Sequence, residues 1–156
     1  MNNPPPAPAN RYHHHHIQSV CDSYQRLLHR PLIPHDDGET LAQAVFEADF
    51  AVLSHDTATD PLFNYANRTA LKLFELSWPE LIALPSRFSA EPLERSQRDH
   101  LLKTVATAGY VEHYSGVRIS KSGRRFVINH AVIWNVYDAN GLYCGQAACF
   151  DDWRYT

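Results

Sequence analysis

The stretch Arg-Phe-Val-Ile-Asn-His-Ala-Val-Ile-Trp-Asn-Val-Tyr, residues 125–137, decides the architecture. Its length and its Val, Ile, Phe and Trp content mark a long β-strand. One alternate set is Phe126, Ile128, His130, Val132, Trp134 and Val136; the other is Val127, Asn129, Ala131, Ile133, Asn135 and Tyr137. Both sets are mostly apolar. A strand with one wet face would alternate apolar with polar, so this one is expected to be covered on both sides. The second cover is at the other end of the chain. Ile17, Val20, Tyr24, Leu27 and Leu28 recur at helical spacing up to Arg30, where Pro31 stops the segment, giving an amphipathic helix over residues 17–30 that needs a surface to lie on.

Working outward, Tyr110–Ser120 and Leu142–Phe150 also read as strands. They are joined to the central one through Lys121-Ser122-Gly123 and Asp138-Ala139-Asn140-Gly141, which carry Gly where hairpin loops want it. Upstream, Phe50–Leu53 and Leu62–Ala66 flank the Asp60-Pro61 turn as a short hairpin. Helical patterns fill the rest. After the Pro31 and Pro34 connector, Asp36 or Asp37 is expected to cap a helix through Leu41, Ala44, Val45 and Ala48. Asn67 opens a helix with Ala70, Leu71, Leu73 and Phe74, and Ser77 with Pro79 opens another around Leu81, Ile82 and Leu84. The longest runs from Ser89 to Ala108, with Pro92 in its first turn, Leu93, Leu101, Leu102 and Val105 inward, and Gly109 at the left-handed C-terminal position. The order implies an α+β fold: one five-stranded antiparallel sheet, short helices on one face and the N-terminal helix on the other.

With 156 residues, 44% of them hydrophobic, the chain matches one globular domain, placed at residues 17–156. Residues 1–16 hold Pro4, Pro5, Pro6, Pro8 and the tract His13–His16, and are expected to be an extended, disordered tail with no assigned function. A formal net charge of −3 argues against a dedicated nucleic-acid binder, since phosphate neutralisation needs surplus Lys and Arg. No run approaches the ~20 apolar residues of a membrane span. Cys21, Cys144 and Cys149 have no CxxC spacing, which fits reduced thiols in a cytoplasmic protein.

The run Gly116-Val-Arg-Ile-Ser-Lys-Ser-Gly-Arg-Arg-Phe126, the strand through Trp134, the turn Asp138–Gly141 and Gly145-Gln146-Ala147-Ala148 resemble the MEKHLA domain. This PAS-related module occurs as a stand-alone bacterial protein and at the end of class III homeodomain-leucine zipper plant proteins. The resemblance covers about residues 15 to 155. It implies a PAS-like fold, a sensing or dimerising role and no established chemistry. No homeodomain or zipper pattern accompanies it, so the plant context is not expected to transfer.

A PAS-like fold would place a ligand between the inner sheet face and the short helices. Candidate polar groups for such a pocket are Asn129, Asn135 and Gln146 on strands, with His55, His100, His113 and His130; a hydrogen-bonded structural role is the alternative for each. A flavin photosensor of the light-oxygen-voltage type would need a cysteine in the stretch resembling Leu84–Phe88, and none is there. Non-covalent flavin would rest on Asn129 with Gln146 or Cys149, depending on which face of the last strand points inward. Haem would rest on His100. For catalysis no nucleophile–base pair or metal triad has specific spacing; Asp151 and Asp152, adjacent on a strand, point to opposite faces. An enzyme would have to use a buried histidine, His100, His113 or His130, with an aspartate. Arg118, Lys121, Arg124 and Arg125 surround a hairpin tip and could hold an anion or an acidic partner, a solvated loop being the commoner reading. Trp134, Phe150, Trp153 and Tyr155 add apolar area at the end of the sheet, and whatever the N-terminal helix leaves uncovered would be a homodimer interface. The reading is a PAS-like sensory or protein-interaction module that binds a small ligand or a partner, without catalysis or metal.

Overall fold

The computed structural model describes residues 3–34, 38–90 and 95–156. Its centre is strand β4, Arg125–Tyr137, which pairs antiparallel with β3 (Tyr110–Ile119) on one side and β5 (Tyr143–Phe150) on the other. Beyond β5 lie β1 (Ala51–His55) and β2 (Phe63–Ala66), so the sheet order is β2-β1-β5-β4-β3. The five expected strands are joined by a sixth. After a one-residue break at Asp151, β6 (Asp152–Tyr155) continues along the β5 edge of β4, pairing with Phe126–Asn129. The break lets one segment serve the whole length of a strand too long and twisted for β5 alone.

The helices are α1 (His14–Leu28), α2 (Gly38–Glu47), α3 (Arg68–Phe74), α4 (Trp78–Ile82) and α5 (Arg95–Ala108). Ser77 caps α4 in a capping box with Glu80, and Gly109, at φ +86°, takes the left-handed position after α5. Ser89 belongs to a separate 3-10 turn, Ser86–Ser89, rather than to α5. The expected cap at Asp36 or Asp37, Pro92, Leu93 and the Leu102 side chain lie outside the described residues.

Both faces of β4 are covered, but strict alternation does not hold along it. His130 sits at φ +56° and, across the ladder, His113 at φ +57°, each at a shift in the β3–β4 register. These are β-bulges, and a bulge inserts one residue, which exchanges the faces of everything beyond it. Phe126 and Ile128 therefore share the helix-side core with Ala131, whereas Val132, Trp134 and Val136 turn to the opposite side. There they meet Val20, Tyr24 and Leu28 of α1. The set of residues expected on one face is thus split at His130, which is itself extruded into solvent.

The α1 contact is polar as well as apolar. Trp134, fully buried, donates its indole N–H to the Val20 carbonyl at 3.1 Å and meets the Tyr24 ring edge-on at 4.8 Å. Ser23 accepts from the Tyr137 backbone N–H at 2.9 Å. The helix is thereby fixed in register on β4 as well as by area.

The segment expected to be a mobile tail is laid against the domain from Asn3 onward. The Trp78 indole donates to the Asn3 carbonyl at 2.8 Å, Pro6 is buried, and the His13 ring meets Trp78 at 5.1 Å. Buried aromatic surface on α4 and β2 gives these prolines something to cover. His16 enters the same layer, 2.8 Å from Ser54 Oγ, and burial pulls its imidazole down from 6.5 to about 4. An imidazole held neutral by folding contributes stability above pH 6.5 that is lost as pH falls toward 4, because the unfolded chain then binds the extra proton. Denaturant titrations of wild type at pH 7 and pH 4.5 should differ through this group by on the order of 2–3 kcal/mol. His16→Gln should flatten that pH dependence; an unchanged slope would show that His16 titrates normally.

Gly145 governs where β5 meets β1. Its φ is +150°, and a Cβ there would lie 2.0 Å from the His55 carbonyl oxygen. Gly145→Ala should cost about 2 kcal/mol by thermal denaturation, since backbone must move to admit the methyl group. A loss below 0.5 kcal/mol would mean that the strands separate freely at this end.

Candidate functional site

Between the helix-side face of the sheet and the short helices lies a cavity of ≈ 190 Å³. Its walls are apolar: Leu53, Phe63, Phe74, Ile128, Ile133 and Phe150. Small residues on β4 and β5, Ala131 and Ala148, leave the space open, and the 3-10 turn contributes Ser86 and Ser89. Ser89 is itself satisfied, donating to the Ser86 carbonyl at 2.8 Å. Polar side chains stand at two places on the rim. Gln146 and His55 come from β5 and β1, where the two residues are paired in register. Arg118 comes from β3, where it bridges Ala90 after the 3-10 turn.

The sequence candidates divide sharply. Gln146 lines the cavity, with its amide N–H donating to Asn135 Oδ1 at 3.2 Å. Asn135, buried on the same face, reaches away to α5, with Nδ2 3.4 Å from the Val105 carbonyl. Its role is to hold Gln146 and α5. Asn129, which lies before the bulge, accepts from Ser115 Oγ at 3.0 Å outside the cavity. Cys149 is one residue out of phase with Gln146 and Ala148, so it faces α1, where burial pushes its thiol up to about 12. The last strand therefore turns Gln146 inward and Cys149 outward.

The histidines are not a buried set. His100 is exposed on α5, and His113 and His130 are exposed at the paired bulges, their rings 6.2 Å apart. His113 is 78% exposed beside Glu112. An enzyme built on a buried histidine from these three loses its premise. His55 does line the cavity, with Nδ1 2.8 Å from the Asp56 carbonyl. Among the described residues, no three His, Cys, Asp or Glu side chains are grouped to hold a metal ion.

Phe150 lines the cavity, and Trp134 is sealed beneath α1. Trp153 packs edge-on to Phe150 at 6.0 Å, and Tyr155 is capped by Arg124 at 3.4 Å from its centroid. The apolar area that prompted the expectation of a homodimer interface is thus largely covered within the chain. Arg118, read with the hairpin tip as an anion-holding or solvated cluster, instead turns inward and lines the cavity. Its signal was present in the strand period: Gly116 and Arg118 are two apart on β3 and share the face that turns inward.

Compared with known families, residues 14–155 match the MEKHLA domain. The chain belongs to the MEKHLA family. The homeobox-leucine zipper proteins HOX9 and HOX10 of Oryza sativa subsp. japonica are 30% identical to it over 143 and 144 residues, 88% of this chain. ATHB-9 of Arabidopsis thaliana is 30% identical over 108 residues, 66% of this chain. The chain spans only 12% to 17% of the length of these plant relatives. Among solved structures, a PAS domain from Colwellia psychrerythraea superposes with TM-score 0.57 at 17% identity, covering 74% of this chain and 92% of that one. An RNA-binding light-oxygen-voltage receptor gives 0.59 at 19% identity over 76% of this chain and 36% of its own. A variant of Vivid gives 0.58 at 18% identity over 84% and 97%. This MEKHLA domain accordingly has a PAS-like fold, with six strands in one antiparallel sheet. No helix among the described residues is long and apolar enough to cross a membrane.

The residues expected to hold a flavin or a haem are not brought together at the cavity. The cavity is smaller than the roughly 300–1,000 Å³ of drug-sized ligand sites, and no cysteine lines it. Of the groups expected to grip a flavin, Asn129 faces away and Cys149 is on the other side of the sheet, which leaves Gln146, one of whose N–H groups is held by Asn135. His100, the haem candidate, does not reach the cavity.

Proposed function

We propose that this MEKHLA domain is a sensory module without catalysis of its own, which takes one small molecule into the cavity and reports its presence through α1. One observation carries the reading: the cavity and the α1 contact lie back to back on the same two strands. Ile133 faces the cavity while Trp134 faces α1, and Ala148 faces the cavity while Cys149 faces α1. Anything that spreads or tightens β4 and β5 from inside changes the surface on which α1 rests, and a ligand shifts that balance by its differential affinity for the two packings. The free cysteines fit work in a reducing cytoplasm.

Native mass spectrometry of the untreated full chain tests the proposal. The expected spectrum shows a small-molecule adduct that is absent from Ala148→Leu, whose added side-chain volume fills the cavity. An adduct retained in Ala148→Leu, or a bare chain in every preparation, would count against it. The same spectrum reports whether the domain pairs with a second copy.

A further inference from the structure

The cavity has apolar walls with Gln146 and His55 at one place on the rim and Arg118, beside the 3-10 turn that carries Ser86 and Ser89, at the other. Arg118 is the charged residue of the described lining, to which no Asp or Glu contributes. It takes part in none of the ion pairs among the described residues. Its Nη1 donates to the Val117 carbonyl at 3.0 Å and the guanidinium lies 5.5 Å from the centre of the Tyr114 ring. A guanidinium has five N–H donors in a fork that matches a carboxylate. Beside it, the Tyr114 hydroxyl is buried with no hydrogen-bond partner among the described residues. Both groups converge on Gly116: a Cβ placed there would lie 2.8 Å from Tyr114 Oη and 3.1 Å from Arg118 Nη1. The glycine is what lets the guanidinium fold back over the ring.

We infer that the ligand is a small organic carboxylate, its carboxylate gripped by Arg118 and its apolar body lying among Phe63, Phe74 and Phe150. This deepens, and rests on, the sensory reading above. Charge sets the anionic end, since a partly buried cation beside apolar walls is stabilised by an anion. Size sets the body: an apolar cavity of about 150 Å³ accepts one benzene ring, and ≈ 190 Å³ leaves room for one ring with a carboxylate. A nucleotide or a tricyclic ring system exceeds that volume.

Calorimetric titration of the full chain with benzoate, and with benzamide as its uncharged counterpart, tests the assignment. Benzoate should bind at least about tenfold more tightly than benzamide, a difference of about 1.4 kcal/mol. Arg118→Gln, checked for an unchanged thermal transition, should abolish that preference and leave benzamide binding as it was, and Arg118→Lys should keep part of it. Equal binding of the two probes by wild type, or a preference that survives in Arg118→Gln, would overturn the carboxylate assignment. Loss of both probes in Ala148→Leu would in that case still uphold the cavity as the binding site. Failure of both probes to bind wild type would also overturn the assignment, and the adduct seen in native spectra would judge the sensory reading separately.

Discussion

Trp134→Ala should lower stability by about 3–5 kcal/mol, the range for deleting a buried aromatic and leaving a cavity. Trp134 is fully buried between β4 and α1, packed on Tyr24 and hydrogen-bonded to the Val20 carbonyl. Its removal takes away area, an aromatic pair and the partner of a buried carbonyl. Trp134→Phe keeps most of the area but not the donor, so it should lose only about 1–2 kcal/mol. Equilibrium denaturation in urea measures both. Wild-type stability in Trp134→Ala would show that α1 does not rest on this residue.

Asn67→Ala should cost about 3–4 kcal/mol although it deletes only three heavy atoms. The side chain is fully buried and ties four backbone groups together. Its oxygen accepts from the Val52 and Ala70 N–H groups at 3.1 and 3.0 Å, and its nitrogen donates to the Val45 and Phe50 carbonyls at 3.0 and 2.8 Å. It thus joins the end of α2, the start of β1 and the cap of α3. Each bond is worth about 1 kcal/mol net, and a buried group left without a partner costs more. Asn67→Asp keeps the two accepting bonds but sets a carboxylate oxygen against the Val45 and Phe50 carbonyls, so urea denaturation at pH 7 should place it no higher than Asn67→Ala. An Asn67→Ala loss under 1 kcal/mol would mean that these groups find water instead.

The chain announced much of this through periodicity. Apolar residues on both sides of β4 required two covers, and the helical spacing from Ile17 to Leu28 supplied the second. The Asn67 and Ser77 caps were legible because an N-cap is a local bond three residues long. The other three Asn67 bonds were not, since they reach 15 to 22 residues away in sequence. Bulges were equally hidden. Histidine at positive φ is uncommon, and neither His113 nor His130 carries a turn signal, so counting by twos put Phe126 and Trp134 on one face. The same slip left open which of Gln146 and Cys149 points inward, a matter decided by the β4–β5 register, Asn135 with Gln146 and Val132 with Cys149. Composition misjudged the leading prolines because a Pro-rich stretch has nothing to bury unless aromatic surface awaits it, as Trp78 does here.

The central claim is that one sheet carries a ligand cavity on one face and α1 on the other. Hydrogen-exchange mass spectrometry on peptides spanning residues 17–28 and 131–137 of the native full chain tests it most directly. The amides of α1 should be protected to a degree comparable with β4 and should open together with it, and Trp134→Ala should release α1 first. Exchange of residues 17–28 at the rate of an unstructured peptide, while 131–137 stays protected, would contradict the account.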